Sequence, residues 1–331
     1  MTINDYLLVL SGEDGGRLPS RVIRHLRDFG VDVLNINYDK NEEFSIQILN
    51  DFDIRIEANG KIYGTPHCFW CRFKLTVGTA GIGTPDECIR TMEWSALARG
   101  LGVLLEPVAF NSSASKFINE TKPYQLSLAR KSGFKVPNSV IAFGKQAAQK
   151  FIDSEPDVVM KALGYPIVPC PDSPDGRSPI ITTRVDRDAF AAAGDEAFLN
   201  NPIFFQHQIR SGTEYRVIAF ADQIYAYRID DDVTKRRLAD SRVFQRPFRQ
   251  VEASERLEAL CLEYMRISGL NYGVFDLFAD EYEENWWFLE CNPEGQFISA
   301  AGNNYEEVMY VAAEKIYQMY LTNKERIRAA S

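Results

Sequence analysis

The chain has 331 residues, of which 45% are hydrophobic and 25% charged, which is typical of a globular protein rather than a disordered or membrane-spanning one. Acidic residues outnumber basic ones by 46 to 37, so the net charge is −9, and we expect no broad nucleic-acid-binding surface. The six cysteines are too few for a disulfide scaffold, and neither a signal peptide nor a transmembrane segment is recognisable, so the sequence predicts a cytoplasmic protein with no membrane partner.

The N-terminal part of the sequence predicts a βαβ unit. An apolar run at 5–10 indicates a strand, helical spacing runs from Pro19 to Gly30, and 31–36 indicates a second strand. Strand, helix and strand in this order favour a parallel sheet. Farther on, Asn59-Gly60 separates two strand-like runs and predicts a hairpin.

Three features of the sequence carry weaker signals. A glycine-rich loop at 12–16 lacks the spacings of known phosphate-binding loops, which favours an ordinary turn. Cys68 and Cys71 form a C-x-x-C pair without a second pair at metal-binding spacing, which favours two semi-buried thiols over a zinc or redox site. The histidines are far apart and lie in no metal signature; they are His25, His67 and His207.

The middle of the chain combines a helix, two strands and a long loop. A helix is predicted from Lys116 to Gly133, with strands at 139–143 and 158–161. Lys161 closes the second apolar strand, where it either extends to solvent or binds an anion. The segment 162–177 is rich in proline and glycine, which favours a mobile lid over a ligand, with a plain surface loop as the alternative.

The C-terminal part predicts antiparallel strands. Runs at 203–206, 215–220 and 223–229 indicate a meander. The strongest local signal is a hairpin formed by 272–279 and 286–292 around an acidic turn.

This hairpin predicts a metal site. Pairing centred on Glu283 places Asp276 opposite Glu290, and Asn292 lies on the same face as Glu290. Two facing carboxylates repel each other unless a cation neutralises them, and oxygen ligands of this kind suit Mg²⁺. The alternative is a slipped register that leaves one carboxylate at the surface.

The order of these parts resembles the ATP-grasp ligases, in which phosphate-binding lysines and a mobile loop precede an antiparallel sheet ending in Asp and Glu-x-Asn. Within that superfamily the sequence resembles the ribosomal peptide maturases of the graspetide, or microviridin, type. The motifs are KPYQL at 122–126, GFKVP at 133–137 and FLECNPEGQF at 288–297, with shorter matches at Lys161, Thr182-Thr183, Phe205-Gln206, Arg216-Val217, Asp240-Ser241-Arg242, Trp70-Cys71-Arg72, Glu93 and Asn111.

The resemblance implies a fold and an assembly. The fold is α/β (α+β), an ATP-grasp fold preceded by an N-terminal α/β domain. The domains implied are 1–108 at the N-terminus, 109–200 in the centre and 201–331 at the C-terminus with the metal site. A homo-oligomer, such as a dimer, is expected.

The resemblance also implies ATP and Mg²⁺ as cofactors and a role for each site residue. Asp276, Glu290 and Asn292 are expected to bind Mg²⁺, and Lys122 and Lys161 to bind phosphates. The remaining residues divide into an adenine-binding group, Gln206, His207, Gln208 and Ile209, and a catalytic group, Arg216, Asp240 and Arg242. The two arginines suit an acyl phosphate or a substrate carboxylate, with structural ion pairing as the alternative.

The function implied is ATP-dependent macrocyclisation of a ribosomal precursor peptide, consisting of a leader and a core. Asp or Glu side-chain carboxylates would be phosphorylated and joined to Ser or Thr hydroxyls or Lys amines, giving ester or amide links. Two alternatives stay open: an ATP-grasp ligase for free amino acids or small carboxylates, and an inactive nucleotide-binding partner of another maturase.

Overall fold

The structure is a computed structural model that describes residues 2–12, 18–40, 42–49, 53–72, 84–164, 167–170, 177–229, 248–295 and 301–330. The helices in these ranges are α1 (Leu18–Asp28), α2 (Pro85–Leu104), α3 (Ser113–Asn119), α4 (Lys122–Lys131), α5 (Lys145–Ser154), α6 (Arg187–Ala192), α7 (Glu255–Ser268) and α8 (Tyr305–Ala330). The strands are β1 (Thr2–Ile3), β2 (Leu7–Ser11), β3 (Val33–Asn37), β4 (Phe44–Ile48), β5 (Ile54–Ala58), β6 (Lys61–Tyr63), β7 (Cys68–Arg72), β8 (Ser139–Ala142), β9 (Val158–Lys161), β10 (Ile167–Pro169), β11 (Arg177–Pro179), β12 (Thr183–Arg184), β13 (Ile203–His207), β14 (Thr213–Phe220), β15 (Gln223–Ile229), β16 (Phe248–Val251), β17 (Tyr272–Ala279) and β18 (Trp286–Asn292). Within these ranges, no helix has the length and apolar content needed to cross a membrane.

The βαβ unit predicted for the N-terminal part is confirmed. β2 pairs in parallel with β3 on one side and with β7 on the other. The helix α1 buries Val22 and Leu26 in the core beside this sheet, as its apolar spacing predicts. The hairpin at Asn59 and Gly60 is also confirmed, and both residues have the positive φ that a two-residue hairpin turn requires, 52° and 69°.

The C-terminal helix returns to the N-terminal part of the chain. α8 packs on α1, and its Val308, Ala313 and Ile316 are fully buried in a core that also contains residues of the parallel sheet. Lys324, near the end of α8, donates a hydrogen bond to Asp5 Oδ2 at 2.6 Å. One hydrophobic core therefore contains segments from both ends of the chain. The three domain ranges given above stay a prediction.

The strand β13 differs from its sequence-based prediction. The expected meander is confirmed for 215–220 and 223–229, which pair antiparallel as β14 and β15, and is wrong for 203–206, because β13 lies in a separate four-stranded sheet of order β12-β9-β13-β8. Phe205 faces Val140 on one side and Met160 on the other. Both edges of β13 are thus occupied by hydrogen-bonded neighbours, and neither edge is left for β14.

The segment predicted as a lid contains a short hairpin. β10 pairs antiparallel with β11, while 165–166 and 171–176 lie outside the described residues. Closure of this segment over a ligand stays a prediction. Of the glycine-rich loop at 12–16, only Gly12 is described.

A five-stranded antiparallel sheet carries three of the charged residues singled out in the sequence, Arg216, Asp276 and Glu290. Its order is β16-β15-β14-β17-β18. One face is covered by α4 and α7, in a core that includes Tyr264, Phe275 and Phe288. On the opposite face, Ile218 and Phe220 belong to the core shared with α8. The polar residues Arg216, Asp276, Glu290 and Asn292 lie on the same opposite face and form the candidate site.

Candidate functional site

The two predicted carboxylate ligands face each other across the β17–β18 hairpin. Asp276 pairs directly with Glu290, and Asn292 lies two residues farther along β18 on the same face. The side chains of Asp276 and Glu290 are 27% and 46% exposed, so both reach solvent from the sheet. The predicted convergence is therefore present, and the slipped register considered as the alternative is not.

The pairing differs from the prediction closer to the turn. Symmetric pairing about Glu283 is wrong there, because Ala279 pairs with Trp286, one residue earlier than that symmetry requires. The register changes between Asp276 and its neighbour, where Leu289 has no partner on β17. Leu289 is the extra residue of a β-bulge, and this bulge brings the register back to the predicted one at the carboxylates.

The carboxylate of Asp276 is the most strongly perturbed acidic group of the site. Desolvation of its half-buried side chain raises its pKa to about 7, Arg216 opposes this rise, and the negative charges of Glu290 and Glu214 add to it. Arg216 Nη1 donates a hydrogen bond to Asp276 Oδ1 at 2.8 Å. Because desolvation and two neighbouring negative charges both disfavour the ionised carboxylate, a bound cation would stabilise it.

The helix α4 brings the KPYQL motif to this hairpin. Lys122 Nζ lies 3.9 Å from Glu290 Oε2. Gln125 is buried and binds the main chain of Cys291 on both sides: its Nε2 donates to Cys291 O at 2.9 Å and its Oε1 accepts from Cys291 N at 3.1 Å. Because Cys291 lies between Glu290 and Asn292, Gln125 fixes the backbone that carries both predicted ligands.

The donor set suits a hard cation. Asn292 Oδ1 accepts a hydrogen bond from Glu294 N at 2.9 Å, and an amide oxygen has a second lone pair for a metal. Two carboxylates and one amide oxygen are the ligand types of Mg²⁺, which usually keeps several waters or phosphate oxygens. Across the described ranges, no group of three or more His, Cys, Asp and Glu side chains is arranged to hold a metal ion. The set on β17 and β18 is thus a partial oxygen site that fits Mg²⁺ bound together with phosphate.

A second group of predicted residues lies on the four-stranded sheet. Lys161 Nζ donates to Gln206 Oε1 at 2.7 Å, and Gln206 Nε2 donates to Ser139 Oγ at 3.0 Å. Lys161 is half-buried and held by a partner rather than extended to solvent. A lysine fixed in this way is suited to an anion.

The segment predicted to bind adenine already uses part of its main chain. The N–H group of His207 donates to Asn138 O at 2.8 Å, and that of Gln208 donates to Asp157 O at 3.0 Å. The side chain of His207 lies 3.0 Å from Glu155 Oε2. Adenine recognition by this segment therefore requires groups other than these two N–H donors. The role of Gln206 to Ile209 stays a prediction.

The catalytic group is brought together only in part. Arg216 lies at the carboxylates, whereas Asp240 and Arg242 lie outside the described residues. Sequence reasoning assigned no role to Gln125, although it belongs to the KPYQL motif. It also missed Glu214, which is buried and whose negative charge raises the pKa of Asp276. Strand alternation could have identified it, because Glu214 lies two residues before Arg216 on the same strand and therefore on the same face.

The C-x-x-C pair is confirmed as two buried thiols. Cys68 is fully buried and Cys71 nearly so, both within β7. Burial raises the pKa of the Cys68 thiol to about 12, which keeps it protonated and unreactive.

Comparison with solved structures identifies the fold. The structure is similar to the macrocyclase MdnC bound with precursor peptide MdnA from Microcystis aeruginosa MRC, with TM-score 0.76, 18% identity and coverage of 95% of this chain and 99% of that chain. It is similar to a RiPP-associated ATP-grasp ligase of Chryseobacterium gregarium in complex with ADP and a leader and core peptide, with TM-score 0.77, 18% identity and coverage of 95% and 97%.

A third similar structure is the ATP-grasp ligase PsnB complexed with precursor peptide PsnA2 and AMPPNP, with TM-score 0.72, 20% identity and coverage of 97% of this chain and 99% of that chain. No protein-family model matches the sequence, and no curated protein matches it. The predicted ATP-grasp fold is confirmed over nearly the whole chain.

Proposed function

We propose that the protein is an ATP-dependent ligase that forms macrocyclic ester or amide links within a ribosomal precursor peptide. It would phosphorylate Asp or Glu side-chain carboxylates and join them to Ser or Thr hydroxyls or Lys amines. The solved structures of similar fold include ligases in complex with leader and core peptides, with AMPPNP, and with Mg and ADP. These similarities support the proposal together with the site itself.

The observation that carries the proposal is the meeting of two motifs. KPYQL and FLECNPEGQF are far apart in sequence, yet Lys122 and Gln125 of the first contact Glu290 and Cys291 of the second. Both motifs were singled out for their resemblance to graspetide synthetases. Their contact places a cation, two facing carboxylates and an amide oxygen in one place, as transfer of a phosphoryl group requires.

The reaction consists of two balanced steps. A carboxylate oxygen attacks the γ-phosphorus of ATP, and ADP leaves, which converts a poor electrophile into an acyl phosphate. A hydroxyl or amine then attacks the carbonyl carbon, phosphate leaves, and the nucleophile loses its proton. Bound Mg²⁺ would neutralise the phosphate oxygens in the first step. Lys122 and Lys161 would bind those oxygens, and Arg216 is suited to grip the carboxylate or the acyl phosphate.

Glu290→Gln tests the metal site. The substitution keeps the size of the side chain and removes its charge, so we expect an unchanged urea unfolding midpoint and the loss of Mg²⁺-dependent ATP turnover. Glu281→Gln is the matched control, because Glu281 is exposed in the turn of the same hairpin. Turnover by Glu290→Gln at the wild-type rate would contradict the metal assignment.

Mass spectrometry tests the substrate class. We expect a short precursor peptide encoded beside the gene to lose one water mass per bond formed, with one ATP consumed each time. The core must be released between rings, so recognition by a separate leader segment is expected to raise its effective concentration. ATP turnover supported by a free amino acid, with no dehydrated peptide, would favour the small-molecule ligase instead. We expect the reaction in the cytoplasm, where ATP is supplied.

We also propose that the protein forms a homo-oligomer through one face of α2. Ile89, Met92 and Val103 on this helix are 58%, 55% and 63% exposed. Together with Ala96 and Gly100, which are exposed as well, they form an apolar stripe at helical spacing. A Cβ built on Gly100 meets nothing within 4 Å, so the stripe contains an open gap.

A second copy of the helix fits this stripe. In an antiparallel pair with its two-fold axis at Ala96, Met92 lies at the level of Gly100 of the second copy, and Glu93 at the level of Arg99 of the second copy. The pairing therefore matches a large side chain with a gap and places opposite charges level with each other. Such an interface is isologous, as two-fold dimers require.

Charge reversal tests this dimer by sedimentation equilibrium. Glu93→Arg alone sets like charges at the same level and should weaken the dimer, whereas Glu93→Arg combined with Arg99→Glu should restore it. A monomeric wild-type protein, or equal dimerisation of all variants, would contradict the proposed face.

A further inference from the structure

The turn that follows β18 is held by side chains from distant parts of the chain. Pro293 O accepts a hydrogen bond from Asn111 Nδ2 at 3.1 Å. Glu294 O accepts one from Arg72 Nη1 at 2.5 Å. Residues 293–295 are buried, so their carbonyl groups cannot bind bulk water, and side chains from distant segments of the chain satisfy them instead.

The next carbonyl of the turn is also bound. The hydroxyl of Tyr272 donates to Gly295 O. A Cβ built on Gly295 would lie 2.5 Å from Val274 Cβ, which shows how closely the turn backbone approaches β17. Three successive carbonyl groups are thus held by β7, by the segment before α3 and by β17.

A buried ion pair anchors the side chain of the same turn. Lys116 binds Glu294, and the two residues are only 5% and 7% exposed. Lys116 Nζ also donates to Cys71 O at 3.3 Å. Desolvation makes a buried ion pair a weak source of stability, so its presence favours a role in fixing geometry.

The turn sets the orientation of Asn292. The N–H of Glu294 donates to Asn292 Oδ1 at 2.9 Å, and the N–H of Gly295 donates to Asn292 O at 3.0 Å. Both the amide oxygen and the carbonyl of Asn292 are therefore oriented by a turn that the N-terminal part of the chain holds in place.

We propose that Arg72, Asn111 and Lys116 are positioning residues for the metal ligand Asn292, an inference that rests on the proposed function. Residues that orient a metal ligand commonly contribute a factor of about ten to a hundred to metal affinity. The N-terminal sheet then contributes to phosphate chemistry through this turn, because Arg72 at the end of β7 orients a ligand 220 residues later, the difference between positions 72 and 292. None of these three side chains needs to touch ATP for this effect.

Metal binding provides a measurement that does not depend on turnover. Free Mn²⁺, a spectroscopic substitute for Mg²⁺, is titrated by electron paramagnetic resonance against protein saturated with ADP, and urea unfolding is followed on the same samples. The variants are Arg72→Leu, Arg72→Lys, and Lys116→Met combined with Glu294→Met. The paired methionines replace both charges by apolar groups of similar size, which avoids an unpaired buried charge. Lys315→Met is the control, because Lys315 of α8 pairs instead with Asp222, in the turn between β14 and β15, at 2.7 Å.

We expect the Mn²⁺ dissociation constant to rise about tenfold or more in Arg72→Leu and in the double variant. Arg72→Lys, which keeps a donor, should recover part of the loss, and the unfolding midpoint of the double variant should stay close to that of the wild type. Unchanged Mn²⁺ affinity in Arg72→Leu and in the double variant would overturn the positioning role. Glu290→Gln separates this outcome from failure of the proposed function: if it binds Mn²⁺ as the wild type does, the metal site itself is wrong, and the inference falls with it.

Discussion

Replacement of Gln125 by leucine should destabilise the protein and disable the site together. The amide of Gln125 supplies the acceptor for Cys291 N at 3.1 Å and the donor for Cys291 O at 2.9 Å, and leucine offers neither. Both main-chain groups are buried, and each unsatisfied buried group costs about 1–3 kcal/mol. The expected loss in the free energy of unfolding is therefore about 2–6 kcal/mol, measured by urea denaturation.

A graded variant and a control sharpen this prediction. Gln125→Glu keeps an acceptor for Cys291 N but loses the donor for Cys291 O and adds a negative charge near Glu290. Its stability should therefore fall between those of the wild type and Gln125→Leu, and it should lack activity. The control Gln149→Leu removes an exposed amide of α5 that donates to Asp153 at 2.8 Å, and it should change stability by about 0.5 kcal/mol or less. A Gln125→Leu protein as stable as that control, with wild-type ATP turnover, would refute the reasoning.

Two further predictions concern the same hairpin. In the metal-free folded state, burial raises the pKa of Asp276 to about 7 from an ordinary value of 3.8. The folded state therefore binds the carboxyl proton of Asp276 more tightly than the unfolded state does. The free energy of unfolding consequently falls as the pH rises between these two values. In the presence of a chelator, Asp276→Asn should therefore become more stable relative to the wild type as the pH increases from about 4 to about 8. Urea unfolding of both proteins at both pH values measures this difference. A stability gain that is larger at the low pH would contradict the prediction. Gly295→Ala should destabilise the protein by about 1–3 kcal/mol, because the new Cβ would lie 2.5 Å from Val274 Cβ and the turn would have to move; an unchanged thermal midpoint would show that the turn adapts freely.

Local pattern accounts for what the sequence predicted of this site. Strand alternation and the acidic turn predicted that Asp276 pairs with Glu290 and that Asn292 shares its face, and this pairing is present because the bulge at Leu289 offsets a one-residue difference at the turn. The parallel sheet followed in the same way from strand, helix and strand in close succession. These features depend on neighbours within one hairpin or one βαβ unit, which a single sequence contains.

Contacts between distant segments were beyond that reasoning. The hydrogen bonds of Gln125 to Cys291 join residues 166 positions apart, and that of Arg72 to Glu294 spans 222. Neither side chain lies in an apolar pattern that points to its partner. The placement of β13 failed for a related reason: strand propensity does not show that both of its edges are occupied by β8 and β9.

The bulge at Leu289 explains how one short strand serves both the core and the site. Trp286 and Phe288 are fully buried on the face covered by α7. Strict alternation along β18 would place Glu290 on that same face, inside an apolar core where a carboxylate is very costly. One extra residue shifts the alternation, so that Glu290 and Asn292 point instead to the face that holds Asp276 and Arg216. The sequence WWFLECN thus encodes a hydrophobic half and a ligand half on opposite faces, and the backbone irregularity between them creates the pair of facing carboxylates.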